Sequence, residues 1–208
     1  MSITIGILAL QGDVEENVSA TREALRSLGL DGNAIQIKYP EHIARIDGLI
    51  IPGGESTVIG TLAMLNGSLK VIRERISAGM PVLGTCAGMI VLAKRAYDRV
   101  VGETRQQLLN LLDVTVERNA FGRQIDSFEA DLSIRVIGDK PFKGVFIRAP
   151  VVKSVGSNVD VLARLDDNNR IVAVQQGNMI GTSFHPELSG DTRLHEYFIR
   201  LCKEYKNR

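Results

Sequence analysis

The sequence predicts an α/β protein whose mostly parallel sheet is covered by helices on both faces. Three observations carry that expectation. Short, wholly apolar runs recur at 3–10, 48–52 and 80–84, the pattern of strands buried on both sides. Between them lie stretches whose apolar residues are three and four apart, the period of a helix with one buried face. The chain has 208 residues, 44% of them hydrophobic and 24% charged, enough for one substantial core and short of the size at which chains divide.

The elements follow in order. Ile3-Thr4-Ile5-Gly6-Ile7-Leu8-Ala9-Leu10 is too short to cross a bilayer and has no basic residue before it, so it reads as a buried strand, not a signal peptide. Val14, Val18, Thr21, Leu25 and Leu28 then form one helical stripe, closed by Gly29 as a left-handed stop. A strand is predicted at 34–38 and another at 48–52, cut off by Pro52-Gly53-Gly54. Helix follows at 57–78, strand at 80–84 and helix at 87–96. Residues 95–112 hold Asp98, Arg99, Glu103, Arg105, Gln106 and Gln107, and read as a solvated connection with an extra helical turn. From there the character changes. Runs at 113–118, 130–137, 144–148, 159–165, 170–175 and 179–185 read as strands of an antiparallel insertion, joined by turns such as Asp166-Asp167-Asn168-Asn169. A last helix begins near 191 on the stripe Leu194, Tyr197, Phe198, Leu201, Cys202 and Tyr205, which places Cys202 in the core. No repeat, low-complexity tract or linker interrupts the chain, so 1–208 is expected to be a single domain.

Charge narrows the partners. Lys and Arg total 25 against 24 acidic residues, a net charge of +1, which provides no basic field for nucleic acid. Aromatic residues are 5% and Trp is absent, so stacking platforms for single strands are lacking too. A small molecule or another protein is the expected partner, without nucleic acid or membrane. Two cysteines are too few for a disulfide framework, which points to the cytoplasm and leaves a thiol free for chemistry.

The sharpest local signal is Gly84-Thr85-Cys86-Ala87-Gly88, where a buried strand meets a helix. A nucleophile on such a turn sits in a strained backbone, and small neighbours let the turn close. The helix N-terminus behind Cys86 favours the thiolate, and the Ala87 N–H points where an oxyanion develops. A thiolate needs a base and a group to orient it. Of the three histidines, His42 falls in a polar connection and His195 on the expected outer side of the last helix. His185 ends an apolar strand and precedes Pro186, which holds it extended, and Glu187 two residues on shares its face. The third element, Pro52-Gly53-Gly54-Glu55-Ser56-Thr57, lets backbone approach a ligand and can form an anion nest; it lacks the Lys and glycine spacing of a phosphate loop, and a plain turn with Ser56 or Thr57 as cap is the alternative. All three elements follow strand signals, where sites collect in parallel sheets.

Their conjunction resembles the class I (triad) glutamine amidotransferases. Leu8-Ala9-Leu10-Gln11-Gly12-Asp13, the 52–57 and 84–88 motifs, Glu117-Arg118-Asn119-Ala120-Phe121-Gly122-Arg123-Gln124-Ile125-Asp126-Ser127-Phe128-Glu129, Phe146-Ile147-Arg148-Ala149-Pro150 and Ser183-Phe184-His185-Pro186-Glu187 look like the glutaminase subunits of pyridoxal 5′-phosphate synthase. The motifs run from the first strand to the last helix. The resemblance implies a flavodoxin-like three-layer sandwich with a mostly parallel central sheet, hydrolysing L-glutamine to glutamate and ammonia. Cys86 attacks the amide, His185 shuttles the proton and Glu187 orients His185. Gly54 and Ala87 line the oxyanion hole, with Gln11 in support once the synthase docks. Gly54, Glu55, Ser56, Arg123, Ile147 and Arg148 hold the substrate; read without the resemblance, Arg123 and Arg148 are surface ion-pair residues. It further implies a synthase subunit as partner in a large hetero-oligomeric complex, and neither a metal nor a cofactor of the chain's own.

Other readings stay open on sequence alone: a glutaminase feeding another synthase, a stress protein or peptidase of the same superfamily with a different acid, or a non-catalytic interaction module.

Overall fold

The computed structural model describes residues 2–98, 100–121, 127–165 and 169–208. Strand β1 (Ile3–Leu8) leads through α1 (Val14–Ser27) to β2 (Gly32–Ile37). The single turn α2 (Pro40–Ile43) precedes β3 (Gly48–Ile51), and α3 (Ser56–Leu65) and α4 (Ser68–Ser77) connect it to β4 (Val82–Thr85). Helix α5 (Ala87–Leu92) runs directly into β5 (Ala93–Asp98) and β6 (Gly102–Glu103). Then come β7 (Leu112–Arg118), β8 (Ser127–Leu132), β9 (Phe142–Ile147), β10 (Val151–Val155), β11 (Asp160–Leu165), β12 (Arg170–Gln176), β13 (Met179–Thr182) and α6 (Arg193–Lys206).

The main sheet runs β2-β1-β3-β4-β13-β12-β10-β7-β5-β6, with β11 also on β12. From β2 to β13 every pairing is parallel. β13 is the junction: parallel to β4 through Thr85 and Thr182, antiparallel to β12 on its other side. Strands β8 and β9 form a separate two-stranded ribbon.

Alternation along each parallel strand feeds two helical layers. Leu49, Ile51 and Val82 face a core with Ile59, Ala63, Ile72, Ile76 and Ile90 of α3, α4 and α5. Ile50 and Leu83 face the opposite core with Val18 and Leu25 of α1 and Phe198, Ile199 and Cys202 of α6. This is the expected α/β architecture. A third cluster, with Phe142, Phe146, Phe184 and Leu194, seats the ribbon against the antiparallel half.

Several elements differ from expectation. The helix predicted over 57–78 is two helices, because Gly67 takes a left-handed φ of 80° and restarts the chain. The helix predicted over 87–96 stops at Leu92: Ala93 turns extended (φ −60°, ψ 153°) and pairs with β7. The described residues of 95–112 are therefore the β5–β6 pair followed by an irregular strap, not a helical turn, and Arg99 lies outside them. The strap is gripped from α4 by Arg73, whose guanidinium donates to the carbonyls of Leu108 and Leu109 at 3.0 Å each, and both leucines are buried. The strand predicted over 130–137 begins at Ser127 and ends at Leu132, with a tight turn at Arg135–Ile137. Strand β10 was not anticipated. His195 is fully buried, sharing a helix face with Ile199 and Cys202 rather than facing solvent.

Candidate active site

The carboxyl ends of the parallel strands converge on one cavity of about 370 Å³. The loop after β1 brings Gln11, Gly12 and Asp13; the loop after β3 brings Gly54, Glu55 and Ser56; the β4–α5 junction brings Cys86 and Ala87. Arg118 and Asn119 at the end of β7, Ile147 and Arg148 after β9, and His185 beyond β13 complete the wall.

Cys86 takes φ 49° and ψ −103°, a left-handed backbone that costs a residue with a side chain on the order of 1–3 kcal/mol. Local packing holds it there. A Cβ on Gly88 would lie 1.9 Å from the Ile51 carbonyl oxygen, and one on Gly84 would lie 2.6 Å from Leu92, so both flanking positions must be glycine for the turn to close. The Cys86 N–H donates to the Thr182 carbonyl at 2.8 Å, which ties the end of β4 to the end of β13, just before His185. Cys86 is 7% exposed, with Sγ 4.0 Å from the Ile147 carbonyl oxygen.

His185 is extended (φ −99°, ψ 90°), as Pro186 requires, and its N–H donates to the Val145 carbonyl at 2.8 Å. Its Nδ1 meets Glu187 Oε1 at 2.9 Å, so this nitrogen carries the proton and Nε2 is left for the Cys86 thiol. The Glu187 side chain is wholly buried, and its other oxygen, Oε2, has no hydrogen-bond partner among the described residues. A second carboxylate, Asp13 Oδ2, lies 3.2 Å from the same Nδ1. Burial by itself lowers the imidazole pKa, but hydrogen bonds with Asp13, Cys86 and Glu187 carry it up to about 12. The geometry suits transfer of the Cys86 proton to Nε2, giving an imidazolium beside a thiolate, the arrangement that activates sulfur as a nucleophile.

The glycine loops touch backbone to backbone. A Cβ on Gly12 would lie 1.7 Å from the Gly53 carbonyl oxygen, and one on Gly54 2.5 Å from Gln11 Oε1. Gln11 Oε1 accepts the Glu55 N–H at 2.7 Å, so this side chain fixes the loop that bears Gly54. Glu55 is paired with Arg118 at 2.8 Å, which sets a carboxylate and a guanidinium side by side on the cavity wall. Ser56 lines the cavity, but its side chain is 1% exposed and its Oγ donates to Gln106 Oε1 of the strap at 3.1 Å, leaving mainly its backbone for a ligand. Arg148 sits at φ 42°. Arg123 lies outside the described residues.

Cys86, His185, Glu187, Gly54, Glu55, Ser56, Ala87, Gln11, Ile147 and Arg148 are thus gathered in one place. Sequence reasoning passed over Asp13 and Arg118. Both stand inside quoted motifs, and neither makes its contact within its own segment. Among the described residues one cluster has metal-ligating groups close together, Asp13, His185 and Glu187, with ligand atoms within 4.8 Å of one another. The hydrogen bonds on Nδ1 account for that proximity.

The model of the SNO glutamine amidotransferase family matches residues 7–204. The chain belongs to that family. This glutamine amidotransferase is 54% identical over 206 residues to the pyridoxal 5′-phosphate synthase subunit PdxT of Nitrosopumilus maritimus, covering 99% of this chain and 100% of that one. It is 51% identical to the subunit of the same name from Pyrococcus furiosus, covering 95% and 98%. A solved structure described as a glutamine amidotransferase superposes with a TM-score of 0.83 at 46% identity, over 96% of this chain and 98% of that one. A second, a glutamine amidotransferase from Thermotoga maritima, gives a TM-score of 0.61 at 12% identity and speaks to the fold alone. In this family member no helix among the described residues is long and apolar enough to cross a membrane.

Proposed function

We propose that the protein hydrolyses L-glutamine to L-glutamate and ammonia through Cys86, His185 and Glu187, and passes the ammonia to a synthase subunit that makes pyridoxal 5′-phosphate. The observation that carries this reading is the shared cavity: a cysteine on a left-handed elbow, and a buried histidine whose Nδ1 is bound to a buried carboxylate at 2.9 Å. The Cys86 thiolate attacks the side-chain amide carbon. The oxyanion that forms is received by the N–H groups of Ala87 and Gly54, with Gln11 holding the Gly54 loop. His185 gives its Nε2 proton to the departing nitrogen, ammonia leaves, and a thioester remains on Cys86. Water, losing its proton to His185, then releases glutamate. Glu187 keeps the ring oriented throughout.

The zwitterionic end of glutamine needs one acid and one base. Glu55 suits the α-ammonium, with the backbone of Ser56 and Ile147 beside it, and Arg118, Arg123 and Arg148 are the guanidinium candidates for the α-carboxylate. The synthase partner, a complex of many subunits, and a cytoplasmic site of action are part of the same reading, supported by relatives named as synthase subunits over nearly their whole length. The one domain, 1–208, would carry the whole glutaminase reaction.

Glutamate release from glutamine, measured with and without the pyridoxal 5′-phosphate synthase subunit for wild type and Cys86→Ala, tests the proposal. Turnover should rise with the partner and vanish in the variant. Turnover indifferent to Cys86 would overturn the triad, and turnover indifferent to this partner would redirect the ammonia to another synthase.

A further inference from the structure

Asp13 occupies the position before α1 at which an aspartate ordinarily caps the helix with its side chain. Here the side chain makes no cap hydrogen bond. Its backbone is fixed instead: the Asp13 N–H donates to the Gly53 carbonyl at 3.1 Å, and Asn17 Nδ2 donates to the Asp13 carbonyl at 2.7 Å. The carboxylate so released from capping turns to the imidazole, where Oδ2 lies 3.2 Å from His185 Nδ1. Gly53 keeps that route open, since a Cβ there would fall 2.3 Å from His185 Cε1 and 2.7 Å from Asp13 Oδ2. A single N–H therefore faces two carboxylates from opposite ends of the chain. Glu187 is wholly buried, whereas the Asp13 side chain is 39% exposed and lines the cavity.

We propose that Asp13 is a positioning residue for the glutaminase reaction, a second carboxylate on His185 Nδ1 that joins Glu187 in holding the imidazole as the cation facing Cys86. The inference rests on the triad reading above. Glu187 alone fixes the ring and its tautomer. A second negative charge at hydrogen-bond distance favours the doubly protonated ring over the neutral one. The pairing acts on both partners, for the hydrogen bond with His185 also holds the Asp13 carboxyl below its usual range. The charged groups bearing on the ring are Asp13 from the β1–α1 loop, Cys86 from the elbow and Glu187 from its own loop. Glu55 and Arg118, on the same cavity wall, are ion-paired with each other and make no contact with the ring. Because Asp13 is the half-open member, whatever enters or covers the cavity can strengthen or weaken its hold on the ring.

The test is nuclear magnetic resonance of the full chain labelled with ¹⁵N-histidine, titrated with base, for wild type, Asp13→Asn and Asp13→Ala. Three histidines give few signals, and those of His185 are identified by their loss in His185→Gln. The wild-type ring should stay doubly protonated far into the alkaline range. In both variants the loss of the ring proton should move down by about one to three pH units, with the amide spectrum elsewhere unchanged. In the glutaminase assay with the synthase subunit, the alkaline limb of kcat/KM should move down with it, KM for glutamine staying constant. Identical titration curves in the three proteins would overturn the proposal. So would a KM raised tenfold or more with the ring titration unmoved, which would make Asp13 a reader of substrate. The titration needs neither glutamine nor partner, so failure of the triad reading appears separately, as turnover that survives Cys86→Ala.

Discussion

His195 makes the acid limit of this fold predictable. The ring is 0% exposed, and neither nitrogen has a hydrogen-bond partner among the described residues. Burial therefore lowers its pKa from 6.5 to about 4. In the folded chain the ring stays neutral down to that pH, whereas an unfolded chain takes up the proton near 6.5. Between the two values the unfolded state binds more protons, so stability rises with pH and is lost as pH falls from about 6.5 to about 4. At about 1.4 kcal/mol per unit, the loss on reaching pH 4 is about 3 kcal/mol, a large part of the 5–15 kcal/mol a domain holds. His185 works the other way: its pKa is raised to about 12, so its contribution is complete below 6.5 and lost only as pH rises toward 12. The perturbation is His195→Leu, which keeps a good helix former on the Ile199 and Cys202 face and deletes two unpartnered nitrogens. Urea unfolding followed by circular dichroism, at neutral pH and at about pH 4, gives the free energies. The variant should lose about 3 kcal/mol less than wild type across that interval and be at least as stable at neutral pH. Carboxylate titrations are common to both proteins and cancel. Equal acid losses would refute the argument and show that His195 finds a partner or water in solution.

Three further outcomes follow from the site. Gly53→Ala pushes a methyl group to within 2.3 Å of His185 Cε1, so it should cut glutamine turnover on the order of a hundredfold while the melting temperature changes little; unchanged turnover would mean that the loop gives way freely. At the left-handed position 86, Gly should be more stable than Ala by about 1 kcal/mol, the reverse of the helix-interior comparison, with both variants inactive; calorimetry on Cys86→Gly and Cys86→Ala decides it. Iodoacetamide on the native chain should add one adduct by mass, at Cys86, because Cys202 is wholly enclosed and burial pushes its thiol pKa up; a second adduct without denaturant would contradict that burial.

The parallel half of the fold was legible because its strands are buried on both faces and punctuated by glycine. Gly84, Gly88 and Pro186 announced the elbow and the extended histidine through backbone chemistry that any segment shows locally. What escaped was set by contacts between segments. Ala93-Lys94-Arg95-Ala96 has the composition of a helix, and only pairing with β7 makes it a strand. In β10, Val151 and Val152 are both buried and a bulge follows, so the alternation that marks a strand is broken. His195 falls beside the predicted apolar stripe of α6, and the helix is packed more widely than one stripe, with α1 against it. Asp13 looks like a helix cap in sequence, and nothing local says that its carboxylate faces the far end of the chain. Arg118 is likewise an ordinary strand-end cation until Glu55 is set opposite it.

The junction strand β13 has a consequence for how this protein is made. It enters the sheet between β4 and β12, far from either edge, yet it is the last of the described strands in chain order. At about 5–20 residues per second, several seconds separate synthesis of Cys86 from that of His185. During that interval the nascent chain holds Cys86 without His185, and the gap beside β4 stays unfilled. On the proposed triad, chain growth itself delays the chemistry, and a polypeptide cut short anywhere before β13 should release no glutamate from glutamine, because it lacks His185 and Glu187.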